Sequence, residues 1–489
     1  MLKKLSVAVS AALISTSAFA LSPTTTADIE IFMSGASAQD KGIAALFGDL
    51  CVAGTLDTFK DIANPAKPGK AHSAYFCNID SAKVPGLSIA NPKVLFHKRS
   101  AGGSAQGVNP VIAEQAIDAM VINNGNCTET AAGSQSWTCT INGTGDLAAV
   151  VSDAGVSDVN PEMFVGENTP AGSSPVDAAI VASKMEVKGA AALVFGVPVT
   201  TTLRDALQQA EFGAADACVG DDTEACMPNL TSNQVASIIS GQVRRWSNFM
   251  VNGTPLTTIA TTAPSDTKVH YCRRTNGSGT QAQMNAKFLN YPCTSGALTP
   301  AASGSIFAGP IILQNAGSGD VELCLDDLNN GTNASGLNAA GKTAWAVGVQ
   351  STEKNASLGK AYRFVKVDGY APTLENAVKG RYMDVVEQTF QWRKAGALAL
   401  TGDKLTIVDT IATNASSPST IATKVNPGFV HPWGQAGYLA LSTNGFTPSI
   451  PFDATNPVTN YTHAPLGLAL DNCRVPVVNS AVSGGNSEL

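Results

Sequence analysis

Short apolar runs that break at a turn of glycine, serine and alanine, and then enter a segment of helical composition, recur along this chain. That alternation restricts it to an α/β fold. Residues 29–33 run into Ser34-Gly35-Ala36-Ser37 and a helical segment over 38–50. Residues 93–97 lead through Arg99-Ser100-Ala101-Gly102-Gly103 to a helical pattern over 106–120. Residues 147–152 lead into Gly155-Val156-Ser157-Asp158, and 191–199 form a buried-strand run broken by Gly196 and Pro198. Thr231 is placed to cap a helix over 230–246. The pattern predicts mainly parallel sheets, in which ligands sit where the carboxyl ends of strands open into helices.

One such turn carries more chemistry than the others. Residues 273–280 read Arg-Arg-Thr-Asn-Gly-Ser-Gly-Thr, followed by a helical segment over 281–289. A glycine-hydroxyl turn that opens a helix offers free N–H groups, hydroxyl donors and the positive end of the helix dipole at one point. An adjacent guanidinium adds a planar fork that fits a tetrahedral oxyanion. Ser37, Ser100, Ser278 and Thr280 all lie in turns of this kind. Asp158 is the contrary member, because a carboxylate repels an anion unless the anion brings a proton to share. Phosphate near neutral pH carries one and sulfate does not. Asp158 is therefore expected to favour phosphate over sulfate, by a contact that repels the wrong ligand.

Composition narrows the remaining classes. Lys3 and Lys4, an apolar run over 5–14 and Ala18-Phe19-Ala20 form an export signal over residues 1–20. No later run is long enough to span a membrane. Ten cysteines in an exported chain point to disulfides. Cys127/Cys139, Cys218/Cys226 and Cys51/Cys77 are the expected pairs, and the connectivity of Cys272, Cys293, Cys324 and Cys473 is open. The five histidines are scattered and there is no C-x-x-C, so neither a metal nor another cofactor is expected. A net charge of −7 argues against nucleic acid. Trp246 and Trp345 read as core residues and His97 as a structural histidine. Residues 121–146 read as a disulfide-closed hairpin insertion, 52–90 and 402–425 as further insertions, and the terminal AVSGGNSEL as frayed.

These turns resemble, in order, those of the periplasmic phosphate-binding proteins of ABC-type uptake systems. Gly35-Ala36-Ser37-Ala38, Arg99-Ser100-Ala101-Gly102-Gly103, Gly155-Val156-Ser157-Asp158 and residues 273–280 are similar to that family's phosphate turns. The segments 230–246, 346–349 and 367–382 resemble later family segments, so the likeness covers about 29–385. It implies a two-lobed periplasmic-binding-protein fold with hinge strands and disulfide-bearing insertions. The lobes would be 21–194, 195–345 and a return to the first lobe with a C-terminal extension over 346–489. It also implies that Ser37, the Ala38 backbone N–H, Ser100, Asp158, Arg274, Ser278, Gly279 and Thr280 contact inorganic phosphate. An ABC transporter permease would be the partner, and the location periplasmic or secreted. Ala38 stands where the family has an aromatic residue. Asn276 stands where it has an aspartate that pairs with the arginine, which implies a less firmly oriented Arg274.

Two other classes stand beside this reading. One is a secreted or surface interaction protein that reuses the fold, with the insertions as its working surface. The other is a secreted phosphoesterase, for which no nucleophile elbow and no metal-ligand cluster is present. The chain is read as a non-enzyme.

Overall fold

The computed structural model describes residues 22–62, 72–142, 144–305, 308–479 and 488. The expected export signal lies outside the described residues, as do 63–71 of one expected insertion and all of the terminal stretch but Glu488.

The protein is a mixed α/β structure. Strand β1 (Ile29–Gly35) leads into helix α1 (Asp40–Leu50), then come β2 (His72–Asn78), β3 (Lys93–Arg99) and β4 (Ala154–Ser157). A long β5 (Met185–Thr200) follows, then α2 (Ser232–Ile239), β6 (Asp266–Arg274), α3 (Gly279–Leu289), β7 (Ile311–Asn315) and α4 (Ser318–Asn330). The chain then forms β8 (Ala344–Gly348), β9 (Tyr362–Val367), β10 (Val385–Arg393), α5 (Gly402–Ser416) and β11 (Tyr438–Leu441).

Parallel pairing joins the strands of the strand–turn–helix units. β1 pairs parallel with β3 and β4, and β6 pairs parallel with β7 and β8. The expectation of mainly parallel sheets is corrected, because β5 runs antiparallel to β8, β9, β10 and β11. β2 likewise runs antiparallel to β3. The carboxyl ends of β1 and β4 come together in register at Gly35 and Val156, with Arg99 beside Ser34. The carboxyl ends of β6 and β7 meet at Arg274 and Asn315.

Two large apolar clusters flank β5. Ala191, Leu193 and Phe195 enter one with Ile31, Phe47, Phe96 and Phe390. Ala192, Val194, Val197 and Val199 enter the other with Trp246, Tyr271 and Trp345. Over 191–195 successive residues point to opposite faces, so one strand serves both clusters, and beyond Phe195 both Val197 and Val199 join the second. Trp246 and Trp345 are fully buried, edge to face at 6.2 Å, and the Trp246 indole donates to the Trp345 carbonyl at 2.9 Å. His97 is bound through Nε2 to Glu30 at 2.8 Å and stacks on Phe32.

Several local expectations change. The segment 106–120 divides into a five-residue helix, Asn109–Ala113, and a strand, Ala116–Met120. Glu114 takes a left-handed conformation at the end of that helix and stops it. α2 begins at the expected cap, Thr231, in a full capping box with Gln234, but ends at Ile239. The segment 402–425 is not a polar insertion: α5 buries Ile407, Val408, Ile411 and Ala415 in the first cluster. The hairpin over 127–140 pairs antiparallel and is closed by Cys127–Cys139. Cys51–Cys77 and Cys218–Cys226 also form. The four open cysteines pair as Cys272–Cys324 and Cys293–Cys473.

Asp384, just before β10, is buried with neither carboxylate oxygen partnered among the described residues. Burial pushes its carboxyl up to about 7, with Lys287 opposing. The folded value lies above the unfolded one, so its contribution to stability is full at acid pH. It is lost as pH rises from about 4 to about 7, a loss of roughly 4 kcal/mol. An Asp384→Asn variant is expected to lose less stability across that window, read from urea midpoints at pH 5 and pH 8. Equal losses in variant and wild type would contradict this account.

Candidate functional site

The strand ends converge on one buried polar cluster, and three helix starts point into it. Arg274 closes β6, and its side chain is almost fully buried. Nη1 donates to Ser318 Oγ at 3.1 Å and Nη2 to the Ala316 carbonyl at 2.9 Å. Its backbone N–H donates to Gln281 Oε1 at 3.0 Å. Nε is buried with no partner among the described residues. Ser318 is the first residue of α4, and its hydroxyl lies 3.1 Å from that of Ser37, which precedes α1. The Ser318 N–H donates to Ser37 Oγ at 3.3 Å.

Asp158 follows β4 and is fully enclosed. Gln39, the N-cap residue of α1, donates Nε2 to Oδ1 at 2.9 Å, and Thr280 in the first turn of α3 donates Oγ1 to Oδ2 at 2.8 Å. The Asp158 N–H donates to Ser104 Oγ at 3.2 Å. Ser278 caps α3, accepting from the Gln281 N–H at 3.3 Å. Gly279 has no room for a side chain. A Cβ there would stand 2.3 Å from Ser104 Oγ and 2.9 Å from Asp158 Cβ. The glycine is what lets the α3 start lie directly against the Asp158 loop.

Burial sets the electrostatics. It pushes the Arg274 guanidinium down to about 10, with Asp158, Asp320 and Asp40 opposing. It raises the Asp158 carboxyl, opposed by the bonds from Gln39 and Thr280 and by the charges of Arg274 and Lys98. A guanidinium and a carboxylate are thus held in one buried cluster without a direct bond between them, beside three helix N-termini. Hydroxyl groups, dipoles and the unpartnered Arg274 Nε–H suit an anion, and the carboxylate suits one that carries a proton.

The cluster brings together Ser37, Asp158, Arg274, Ser278, Gly279 and Thr280. Ala38 lies beside it, with its carbonyl accepting from Ser351 Oγ at 3.3 Å. Ser100 faces elsewhere. It donates to Asp40 Oδ1 at 2.7 Å and accepts from the buried Lys98 Nζ at 2.9 Å. Lys98 also binds the Gly35 and Ala36 carbonyls at 3.3 and 3.0 Å, which fixes the turn before Ser37. The expected looseness of Arg274 is corrected. Asn276 serves Arg273, accepting from Nη2 at 3.0 Å, while the Ser318 hydroxyl and the Ala316 carbonyl hold the Arg274 guanidinium.

Three members were missed by the reading of the sequence. Ser318 lies in Gly317-Ser318-Gly319 before a helical pattern, the same pattern as residues 277–280, and could have been found by it. Ser104 lies just past the glycine pair of its turn. Gln39 carries no local signal. No group of three or more metal-ligating side chains occurs among the described residues, and none of their helices is long and apolar enough to cross a membrane.

No protein-family model matches this chain, and no curated protein matches it. Solved structures do. A phosphate ABC transporter substrate-binding protein with bound phosphate from Clostridium perfringens is 13% identical, at a TM-score of 0.39, covering 78% of this chain and 92% of that one. An ABC-type phosphate transport receptor from Vibrio cholerae is 11% identical, at 0.34, covering 78% and 93%. A phosphate binding protein from Stenotrophomonas maltophilia is 12% identical, at 0.36, covering 80% and 84%.

Proposed function

We propose that this chain is an exported solute-binding protein that holds inorganic phosphate in the Arg274–Asp158 cluster and delivers it to an ABC-type permease. The observation that carries the reading is the buried Arg274, with Nε uncommitted, beside the Ser37 and Ser318 hydroxyls and the enclosed carboxylate of Asp158. In this reading residues 21–194 and 346–489 form one lobe, 195–345 form the other, and the anion sits between them. Ser37, the Ala38 N–H, Ser278, Gly279 and Thr280 line the anion, and Ser100 acts through the Lys98–Asp40 network. Export to the periplasm or beyond is supported by the five disulfides.

The test is calorimetric titration of phosphate-stripped protein with phosphate and, separately, with sulfate. Micromolar or tighter binding of phosphate alone supports the reading, and binding of neither anion removes it. Asp158→Asn is expected to erode the preference for phosphate over sulfate, because an amide no longer repels the unprotonated anion. Selectivity unchanged in that variant would sink the role given to Asp158.

A second reading, a surface interaction protein, is favoured by one observation. Leu466, Leu468, Val475 and Val477 near the C-terminus are exposed apolar side chains.

A further inference from the structure

Helix α3 and the loop that follows β4 meet along one seam, and the anion cluster lies at its start. α3 stands between the two large apolar clusters, burying Ala282 in the first and Met284, Phe288 and Leu289 in the second. Thr280 bonds Asp158 across the seam. Just before the helix, the Gly277 N–H donates to the Asn168 carbonyl at 2.9 Å, and the Gly277 carbonyl accepts from the Ala105 N–H at 2.8 Å. Farther along, Asn285 Nδ2 donates to Asn168 Oδ1 at 2.9 Å, and past the helix end the Tyr291 hydroxyl accepts from the Glu167 N–H at 2.6 Å. At Cys293 the seam becomes covalent through the bridge to Cys473, which packs against the first cluster. Beside that bridge, the buried Asn472 exchanges two hydrogen bonds with Asn160, a near neighbour of Asp158 in sequence. The Asn160 N–H donates to Asn472 Oδ1 at 2.7 Å, and the Asn472 N–H to Asn160 Oδ1 at 3.0 Å. The segment carrying Cys473 is pinned in turn. Buried Glu387 of β10 accepts from Thr462 Oγ1 at 3.0 Å and from the His463 N–H at 2.7 Å, and Tyr461–Thr462 pairs antiparallel with Val477–Val478.

Ser37, Asp158, Arg274, Ser278 and Thr280 are all buried, so an anion reaches them only where the packing around them parts. Hydrogen bonds across a seam exchange for bonds to water at little net cost and open thermally, whereas a covalent bridge does not. The other four bridges cannot serve this purpose. Three of them join residues of a single apolar cluster, and Cys218–Cys226 closes a short loop.

From this we infer that the Cys293–Cys473 bridge and the Asn160–Asn472 pair form a latch across the seam. The latch limits how far α3 parts from the Asp158 loop, and so how fast an anion enters and leaves the cluster. The effect on anion exchange rests on the phosphate site proposed above, and the restraint on the seam does not.

The experiment compares the full chain with Cys293→Ser/Cys473→Ser, with Cys218→Ser/Cys226→Ser as the control. Hydrogen exchange of the phosphate-stripped proteins follows the Ala105, Glu167 and Gly277 amides, which bond across the seam, against the interior amides of β5 as reference. Release of radiolabelled phosphate into an unlabelled chase is timed in parallel. In the first variant the seam amides should speed up by a larger factor than the reference amides, and phosphate should leave at least about tenfold faster. The control should change neither the ratio of the two factors nor the release rate. Asn472→Ala keeps the bridge and loses half of the Asn160 pair. It should shift both readings the same way by less, and it carries the test if the bridge variant does not fold. Seam amides that speed up no more than the reference, or an unchanged release rate in a protein that binds phosphate, overturn the latch and leave the proposed function standing. Selectively faster seam exchange in a protein that binds no phosphate keeps the restraint and removes the proposed function.

Discussion

Arg274→Ala is expected to weaken phosphate binding by at least about 100-fold, with the protein still folded by circular dichroism. Hydrogen bonds to a charged group are worth about 1.5–3 kcal/mol each, and the guanidinium brings more than one within reach of the anion. It is also the formal positive charge at the centre of the cluster, and no second cation replaces it. Lys98, the other base whose charge acts on Asp158, is spent on the Gly35 and Ala36 carbonyls, Ser100 and Asp40. Arg274→Lys should recover part of the loss, since it restores charge without the planar fork. Calorimetric titration checks both. Wild-type affinity in the alanine variant would mean that the cluster is not where phosphate sits.

Removal of the Cys293–Cys473 bridge, as the double serine variant, should produce the largest loss of stability among the five disulfides. The bridge spans 180 residues of sequence. On the chain-entropy estimate a loop of that length corresponds to about 5 kcal/mol, against about 2.5 kcal/mol for a short loop such as Cys218–Cys226, which spans 8. The double variants Cys293→Ser/Cys473→Ser and Cys218→Ser/Cys226→Ser, compared by denaturant midpoint, check the order. A midpoint shift no larger for the first than for the second would show that the C-terminal region is held by its packing alone.

Much of this architecture could be read from the residues. The unit 29–50 obeys local rules, with an apolar strand, a small-residue turn and a helix, and the turn over 273–280 announces the helix that follows it. Short-range chemistry fixes such units, and Asp158, Arg274 and Thr280 fall together because the ends of their strands do. What escaped depended on long-range placement. Whether 402–425 is a loop or a buried helix turns on a face of Ile407, Val408 and Ile411 that the surrounding threonines and asparagines conceal. Ser318 and Ser37 lie 281 residues apart, and only the fold makes them neighbours. The partner of Asp158 at Gln39 is a side-chain choice that no turn rule specifies. Ser100 and Ser104 show the converse: the turn was recognised, but the rotation that aims one hydroxyl at Asp40 and the other at the Asp158 N–H is set by the glycines between them.

Strand β5 carries a last implication. Over residues 191–195 its alternate side chains enter different apolar clusters, so its register there is specified twice, once from each side. A slip by one residue would exchange Leu193 and Phe195 for Ala192 and Val194 in both places at once, leaving one cluster overfilled and the other hollow. The two clusters therefore share a single alignment. Neither can lose its packing without disordering the wall of the other.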